Sequence, residues 1–141
     1  MFTYRPYEPQ DVNFIQSSWG SSYYKGGEFH KWLTPDTFHN YHRPIREKIL
    51  SQPTLAIIVC CSSEDKNQII GWIAVEPLYM TDKFIVHYVY VKQLYKGEGI
   101  AKDLFHRSVP HKPIYFSHMT DKAWKILAKH EGDYFYSPHL I

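Results

Sequence analysis

Apolar positions along this chain recur with two different periods, and the blocks that carry them alternate. Residues 2–7 (FTYRPY) read as a short strand ended by prolines. In 9–19, Val12, Ile15 and Trp19 fall at i, i+3 and i+7, the spacing of one helix face. Residues 20–32 hold three glycines and keep no steady period, which predicts a loop. Residues 33–52 open with Thr34 as N-cap, Pro35 at the first helical position and Asp36 in the first turn. Phe38, Tyr41, Ile45 and Ile49 then share a face, and Pro44 should kink or split that helix because it lacks an N–H.

The middle of the chain is strand-like. Residues 54–62 form an apolar run, 63–67 a polar turn, and 68–79 the partner of a hairpin, followed by a third strand at 83–91. Residues 99–109 read as a short helix with Ala101, Leu104 and Phe105 inward, and 112–120 as another strand. A helix at 121–132 and a last strand at 133–141 complete the order β-α-α-β-β-β-α-β-α-β. Consecutive strands between helices predict one mixed α/β (α+β) sheet, covered on both faces. No linker or repeat divides the chain, so residues 1–141 read as a single domain.

Composition narrows the function classes. Hydrophobic content of 44% with 21% charged residues is that of a soluble globule. A net charge of +2 argues against a general polyanion binder. Cys60 and Cys61 are neighbours that a strand would point to opposite faces, so they read as buried thiols of a reducing compartment. No apolar run approaches the roughly 20 residues that span a bilayer. The start, Met1-Phe2-Thr3-Tyr4-Arg5, is no signal peptide, and the chain reads as cytoplasmic.

One stretch carries chemistry. Strand 83–91 runs through Lys96-Gly97-Glu98-Gly99 directly into a helix at Ile100-Ala101. The first amides of a helix lack internal partners and its dipole favours negative charge, so the turn is a candidate anion cradle. It is not a phosphate loop of the Gly-Lys-Ser/Thr type, nor a dinucleotide fingerprint, since the third glycine is missing.

The strand, the turn and the helix start resemble the central motif of the GNAT superfamily of N-acetyltransferases, Arg/Gln-x-x-Gly-x-Gly/Ala. Gly99 and Ala101 match it, and Lys96 stands where the family usually has Arg or Gln. A small bacteriophage type of member is faintly similar over the "SSW…SxY" wording at residues 17–23. The resemblance implies a GNAT-like, mostly antiparallel sheet with a V-shaped splay between residues 86–91 and 113–118. It implies acetyl-CoA as co-substrate, with the amides of Lys96, Gly97, Glu98, Gly99, Ile100 and Ala101 on the pyrophosphate. The backbone of Val89, Tyr90 and Val91 would pair with the pantetheine arm. It also implies a primary amine as acceptor, on a small molecule, a protein, or an aminated nucleotide or DNA base. Many members carry a tyrosine in the last helix to protonate the thiolate; that place falls here near Leu127 or Ala128.

Candidate acid–base groups are Glu76, Asp82 and His87, with Tyr88, Tyr90, Tyr115, Ser117 and His118 on the two splayed strands. Each of these also has a structural reading, His87 as a satisfied core histidine and Glu76 as a solvated strand end. Trp19, Tyr23 and Tyr24 would suit a flat acceptor, or would close the core. His39 and His42 share a helix face, yet no third ligand has metal-site spacing, and no metal is expected. The alternative to an enzyme is a degenerate GNAT domain kept as a binding module.

Overall fold

The computed structural model describes residues 1–129 and 132–138. It holds β1 (Phe2–Pro6), α1 (Val12–Gly26), α2 (Pro35–Leu50), β2 (Ala56–Ser62), β3 (Ile69–Pro77) and β4 (Phe84–Val91). Beyond these lie α3 (Ile100–Ser108), β5 (Ile114–Phe116), α4 (Asp121–Lys129) and β6 (Tyr134–Tyr136). The expected ends of the last helix and strand, at His130 and Glu131 and at 139–141, fall outside the described residues.

The strands lie side by side in chain order. The pairings β1–β2, β2–β3 and β3–β4 are antiparallel, while β4–β5 and β5–β6 are parallel. One face packs on α1 and α2 through Ile15, Trp19, Tyr23, Phe38, Ile49 and Trp72. The other packs on α3 through Ile70, Ile73, Val75, Val86, Ile100 and Leu104. The sheet is therefore covered on both faces, and Cys60 and Cys61 are both buried.

Two expectations about helices are corrected. Helix α1 does not stop at Trp19 but runs to Gly26, and a 3₁₀ turn follows at Phe29–Lys31. Its second half lacks an apolar period because its outer stripe, Ser18, Ser21, Ser22 and Lys25, lines a cleft. A Cβ at Gly20 inside it would lie 3.1 Å from the Arg46 guanidinium carbon, so the glycine leaves room for that side chain. Pro44 does not split α2, which continues to Leu50. The carbonyl it leaves unpaired, one turn back at Asn40, belongs to an exposed residue and can bond water. Thr34 caps α2 as expected, accepting from the Thr37 amide at 3.3 Å.

The strand expected at 112–120 shrinks to Ile114–Phe116 because it keeps its partner over only three residues. The rungs Phe84–Ile114, Ile85–Tyr115 and Val86–Phe116 are closed. Ser117 adds a last bond from its N–H to the Val86 carbonyl, 3.3 Å, and from there the two chains part. The V thus opens beyond Val86 and Phe116, later than the boundary expected from the resemblance.

Candidate active site

A β-bulge decides which backbone groups of β4 face the open V. Ala74 pairs with Tyr88, but its neighbour Val75 pairs with Val86, so His87 is the extra residue. Before the bulge, Val86 directs its carbonyl to the β5 side. After it, Lys92 donates its N–H to the Ile70 carbonyl on the β3 side at 2.8 Å. Strand alternation then turns the N–H and C=O of Val91 and Val89 toward the cleft, and those of Tyr90 toward β3. Of the expected cofactor-pairing stretch, Val89 and Val91 offer backbone, while Tyr90 offers its side-chain edge.

The cleft holds about 690 Å³. Its walls are Tyr88 to Val91 on one side, Phe116 and Thr120 to Ala123 on the other, with Ser18, Ser21, Ser22, Lys25 and Gly26 of α1 above. Gln93, Lys96, Ala101 and Phe105 close one end. There the chain enters α3 through Gly97 at φ 89° and Gly99 at φ 80°, backbone that favours glycine. Both glycines are exposed, and a Cβ at either would meet nothing within 4 Å. Ile100 is different: its side chain is in the core, and only its amide belongs to the turn. The donor set fits a pyrophosphate: unpaired helix-start amides, with Lys96, Lys25 and Lys122 supplying positive charge around the cleft. Thr120 caps α4 at the opposite wall, its hydroxyl accepting from the Ala123 amide at 3.2 Å.

Two phenols line the cleft, Tyr88 and Tyr90. Ser22 spends its hydroxyl hydrogen on the Ser18 carbonyl at 2.6 Å, so the 2.8 Å contact between Ser22 and Tyr88 is donated by the phenol. Burial pushes the Tyr88 phenol up to about 12, and the phenol stays protonated. Near Leu127 and Ala128, where the resemblance implies a helix tyrosine, the sequence has none.

His87 and Glu76, expected as acid–base candidates, are brought together. His87 Nε2 lies 2.7 Å from Glu76 Oε1, and His87 Nδ1 lies 2.7 Å from Ser117 Oγ. Thr54 donates to the other Glu76 oxygen at 2.7 Å. Burial depresses the His87 pKa, against the pull of the Glu76 hydrogen bond and charge, so the ring is neutral.

The three aromatic residues expected to touch the acceptor do not line the cleft. Trp19 is fully buried, stacked on Tyr88 with centroids 5.6 Å apart, and Tyr23 packs against Phe29, Phe38 and His118. Tyr24 donates to the Leu33 carbonyl at 2.6 Å and lies on Phe38. They fall on the inner side of an α1 longer than the sequence pattern indicated. The residues in their place, Ser18, Ser21, Ser22 and Lys25, were legible only as a polar stripe at i, i+3, i+4 and i+7. Among the described residues no group of three or more His, Cys, Asp or Glu could hold a metal, and no helix is long and apolar enough to cross a membrane.

A sequence profile of the acetyltransferase (GNAT) family matches residues 26–111, more than half of the chain. No curated protein matches the chain in sequence. Among solved structures, a GCN5-related N-acetyltransferase from Ralstonia eutropha superposes with a TM-score of 0.66 at 15% identity, covering 92% of this chain and 90% of that one. The PaiA N-acetyltransferase from Thermoplasma acidophilum, solved in complex with coenzyme A, gives 0.58 at 16% identity over 92% and 73%. A GNAT-family protein from Desulfovibrio desulfuricans gives 0.51 at 12% identity, over 76% of this chain and 62% of that chain's length. At these identities the structures speak for the fold, and the profile match speaks for the family. The chain belongs to the acetyltransferase (GNAT) family, and with it to the acyl-transferring enzymes.

Proposed function

We propose that the protein transfers the acetyl group of acetyl-CoA to a primary amine. The observation that carries this reading is the alignment, along one cleft, of an open glycine cradle at 96–101, the outward backbone of Val89 and Val91, and the Tyr88 phenol. Acetyl-CoA enters as a substrate, its pyrophosphate on the turn amides and its arm along β4. The Val89 N–H, turned into the cleft, polarises the thioester carbonyl and stabilises the oxyanion as the amine adds. Tyr88 donates its proton to the leaving thiolate, in the role that a helix tyrosine plays elsewhere in the family. Glu76 and His87, hydrogen-bonded to each other at 2.7 Å, are the acid–base pair of this reading.

The acceptor approaches along the polar stripe of α1, where Ser21 and Ser22 offer hydroxyls to an amine. Lys25 can meet a phosphate, which keeps aminated nucleotides or DNA bases among the acceptors to be tried beside small amines and proteins. The test is calorimetric titration with CoA and desulfo-CoA, then thiol release from acetyl-CoA over polyamines, amino acids, peptides, aminoglycosides and aminated nucleotides. Failure to bind CoA at millimolar concentration removes the reading. Binding without thiol release for any amine leaves a cofactor-binding module instead of an enzyme.

A further inference from the structure

The two phenols of the cleft differ in what stands beside their oxygens. Tyr90 is edge-on to Phe14 and stacked on Trp72, and among the described residues its hydroxyl has no hydrogen-bond partner. Tyr88 is buried against Trp19, and its hydroxyl meets Ser22 Oγ at 2.8 Å. Ser22 lies one helical turn beyond Ser18 on α1, and both serines line the cleft. Each sends its hydrogen back along the helix, Ser18 to the Phe14 carbonyl and Ser22 to the Ser18 carbonyl, both at 2.6 Å. The Ser18 oxygen is further engaged by the Trp72 indole N–H at 2.9 Å. Ser22 has no such second donor, so its remaining capacity faces Tyr88.

The Ser22 hydrogen is also the one that can be spared. Inside α1 the Ser18 carbonyl is the regular partner of the Ser22 N–H, so it stays bonded when the hydroxyl turns away. What Tyr88 lacks at rest is a donor. A thiol ordinarily titrates near about 8.5 and a phenol near about 10, so a phenol gives a proton to a thiolate only against that difference. Burial widens it, raising Tyr88 to about 12, while the Ser22 hydrogen bond pulls the other way. A buried phenolate is tolerated only where a hydrogen-bond donor meets it. Tyr23 of α1, Tyr90 of β4 and His118 after β5 also face the Tyr88 ring, the two phenols kept protonated and the imidazole neutral by burial. None of the three is hydrogen-bonded to the Tyr88 oxygen, and Lys25, which lines the same cleft, is not either.

We propose that Ser22 is a positioning residue for Tyr88, a hydroxyl that accepts from the phenol at rest and donates to the phenolate once the proton has gone to the leaving sulfur. The inference rests on the acetyl-transfer reading above, and it selects Tyr88 over Tyr90 as the acid. As the thioester C–S bond breaks, its electron pair goes to sulfur. The Tyr88 O–H bond breaks while an S–H bond forms, and CoA leaves as the thiol. In the same step the Ser22 hydroxyl rotates about its Cβ–Oγ bond, moving its hydrogen from the Ser18 carbonyl to the Tyr88 oxygen. The proton that the amine loses on becoming an amide passes to water. Water in the cleft returns one to Tyr88, and Ser22 turns back to the helix.

The test is thiol release from acetyl-CoA, with an amine that the wild type acetylates, in Ser22→Ala, Ser22→Thr and Tyr88→Phe. Ser22→Ala should lower kcat about 10- to 100-fold with the KM for acetyl-CoA unchanged, the range of one hydrogen bond to an ion. Alanine is the better helix former, so α1 should keep its fold. Ser22→Thr keeps the hydroxyl and should keep most of the rate. A more acidic phenol gives a readout that packing does not move: 3-fluorotyrosine installed at position 88 should recover much of the rate lost in Ser22→Ala. A lower melting temperature with kcat intact in Ser22→Ala, or a lost rate that the fluorinated phenol does not recover, overturns the inference and leaves the acetyl-transfer reading standing. An unchanged kcat in Tyr88→Phe assigns the acid to Tyr90 and overturns it as well. A wild type that binds CoA but acetylates no amine would remove both together.

Discussion

The three buried histidines should make the fold sensitive to mild acid, and the size of the effect follows from their pairing. His42 is 2% exposed, with Nδ1 filled by Arg46 and Nε2 directed at His118, and its pKa is lowered from 6.5 to about 3 by burial first and the Arg46 charge second. The unfolded chain takes up a proton on His42 as the pH falls through 6.5, while the folded chain does so only near 3. The folded pKa is therefore depressed, and the stability it represents is whole above 6.5 and lost on acidification between those values. At pH 5 the loss from His42 alone is about 2 kcal/mol, at roughly 1.4 kcal/mol per unit below 6.5. His118 and His87 are shifted in the same direction, by burial first in each case, so they add to this loss. His39 also shifts downward, but it is only half-buried, and water screens most of its share. Asp11, held below its usual range by Arg5, acts only in stronger acid and stays out of this window. Set against a typical total of about 5–15 kcal/mol, the His42 share alone is a sizeable fraction, and His118 and His87 act in the same direction. Urea denaturation followed by tryptophan fluorescence at pH 7.5, 6.5, 5.5 and 5.0 measures the slope. Equal stability at pH 7.5 and 5.5, or an undiminished slope in His42→Gln, would refute the reasoning.

Gly99→Glu places a charged side chain at φ 80° over the open turn, and CoA affinity should fall more than tenfold in calorimetry while circular dichroism is unchanged. Loss of the far-ultraviolet signal would mean that the turn is structural instead. Tyr88→Phe keeps the stack on Trp19 but removes the phenol, and kcat should drop by about two orders of magnitude with acetyl-CoA KM unaltered, as for loss of a general acid. Trp19→Ala should cost about 3–5 kcal/mol of stability, measured by urea denaturation, because the ring is fully buried among Trp72, Tyr88 and His118. A change below 1 kcal/mol would return Trp19 to the acceptor wall.

Much of this fold could be read from period alone. The strands at 54–62, 68–79 and 83–91 are consecutive and apolar, and Thr34-Pro35 marks the start of α2 by capping chemistry that does not depend on tertiary context. The glycine turn was equally legible, since positive φ at Gly97 and Gly99 leaves little choice of residue. What hydrophobic pattern could not show was a helix face that is polar by function. The second half of α1 turns Ser21, Ser22 and Lys25 into a cleft, and without an apolar period it read as loop. In α2 the pattern chose Tyr41, which is exposed, and passed over His42 and Arg46, which are buried. Their burial is affordable only through partners far along the chain, His118 and Gln16, and no local window contains both members of such a pair.

The bulge at His87 acts on β4 as a frameshift acts on a reading frame. Every residue downstream of it presents the opposite edge from the one that an unbroken strand would present, so the outward backbone at Val89 and Val91 exists because one residue was inserted upstream. That inserted residue is also the imidazole that joins Glu76 to Ser117. The edge along β4 and this junction therefore share a single origin in the chain. Substitution at position 87 can remove the second and leave the first, but a deletion there restores the original frame and removes both at once. Single-residue insertions and deletions in β4 should accordingly be far less interchangeable with substitutions here than in β1 or β2, where no such edge depends on the count.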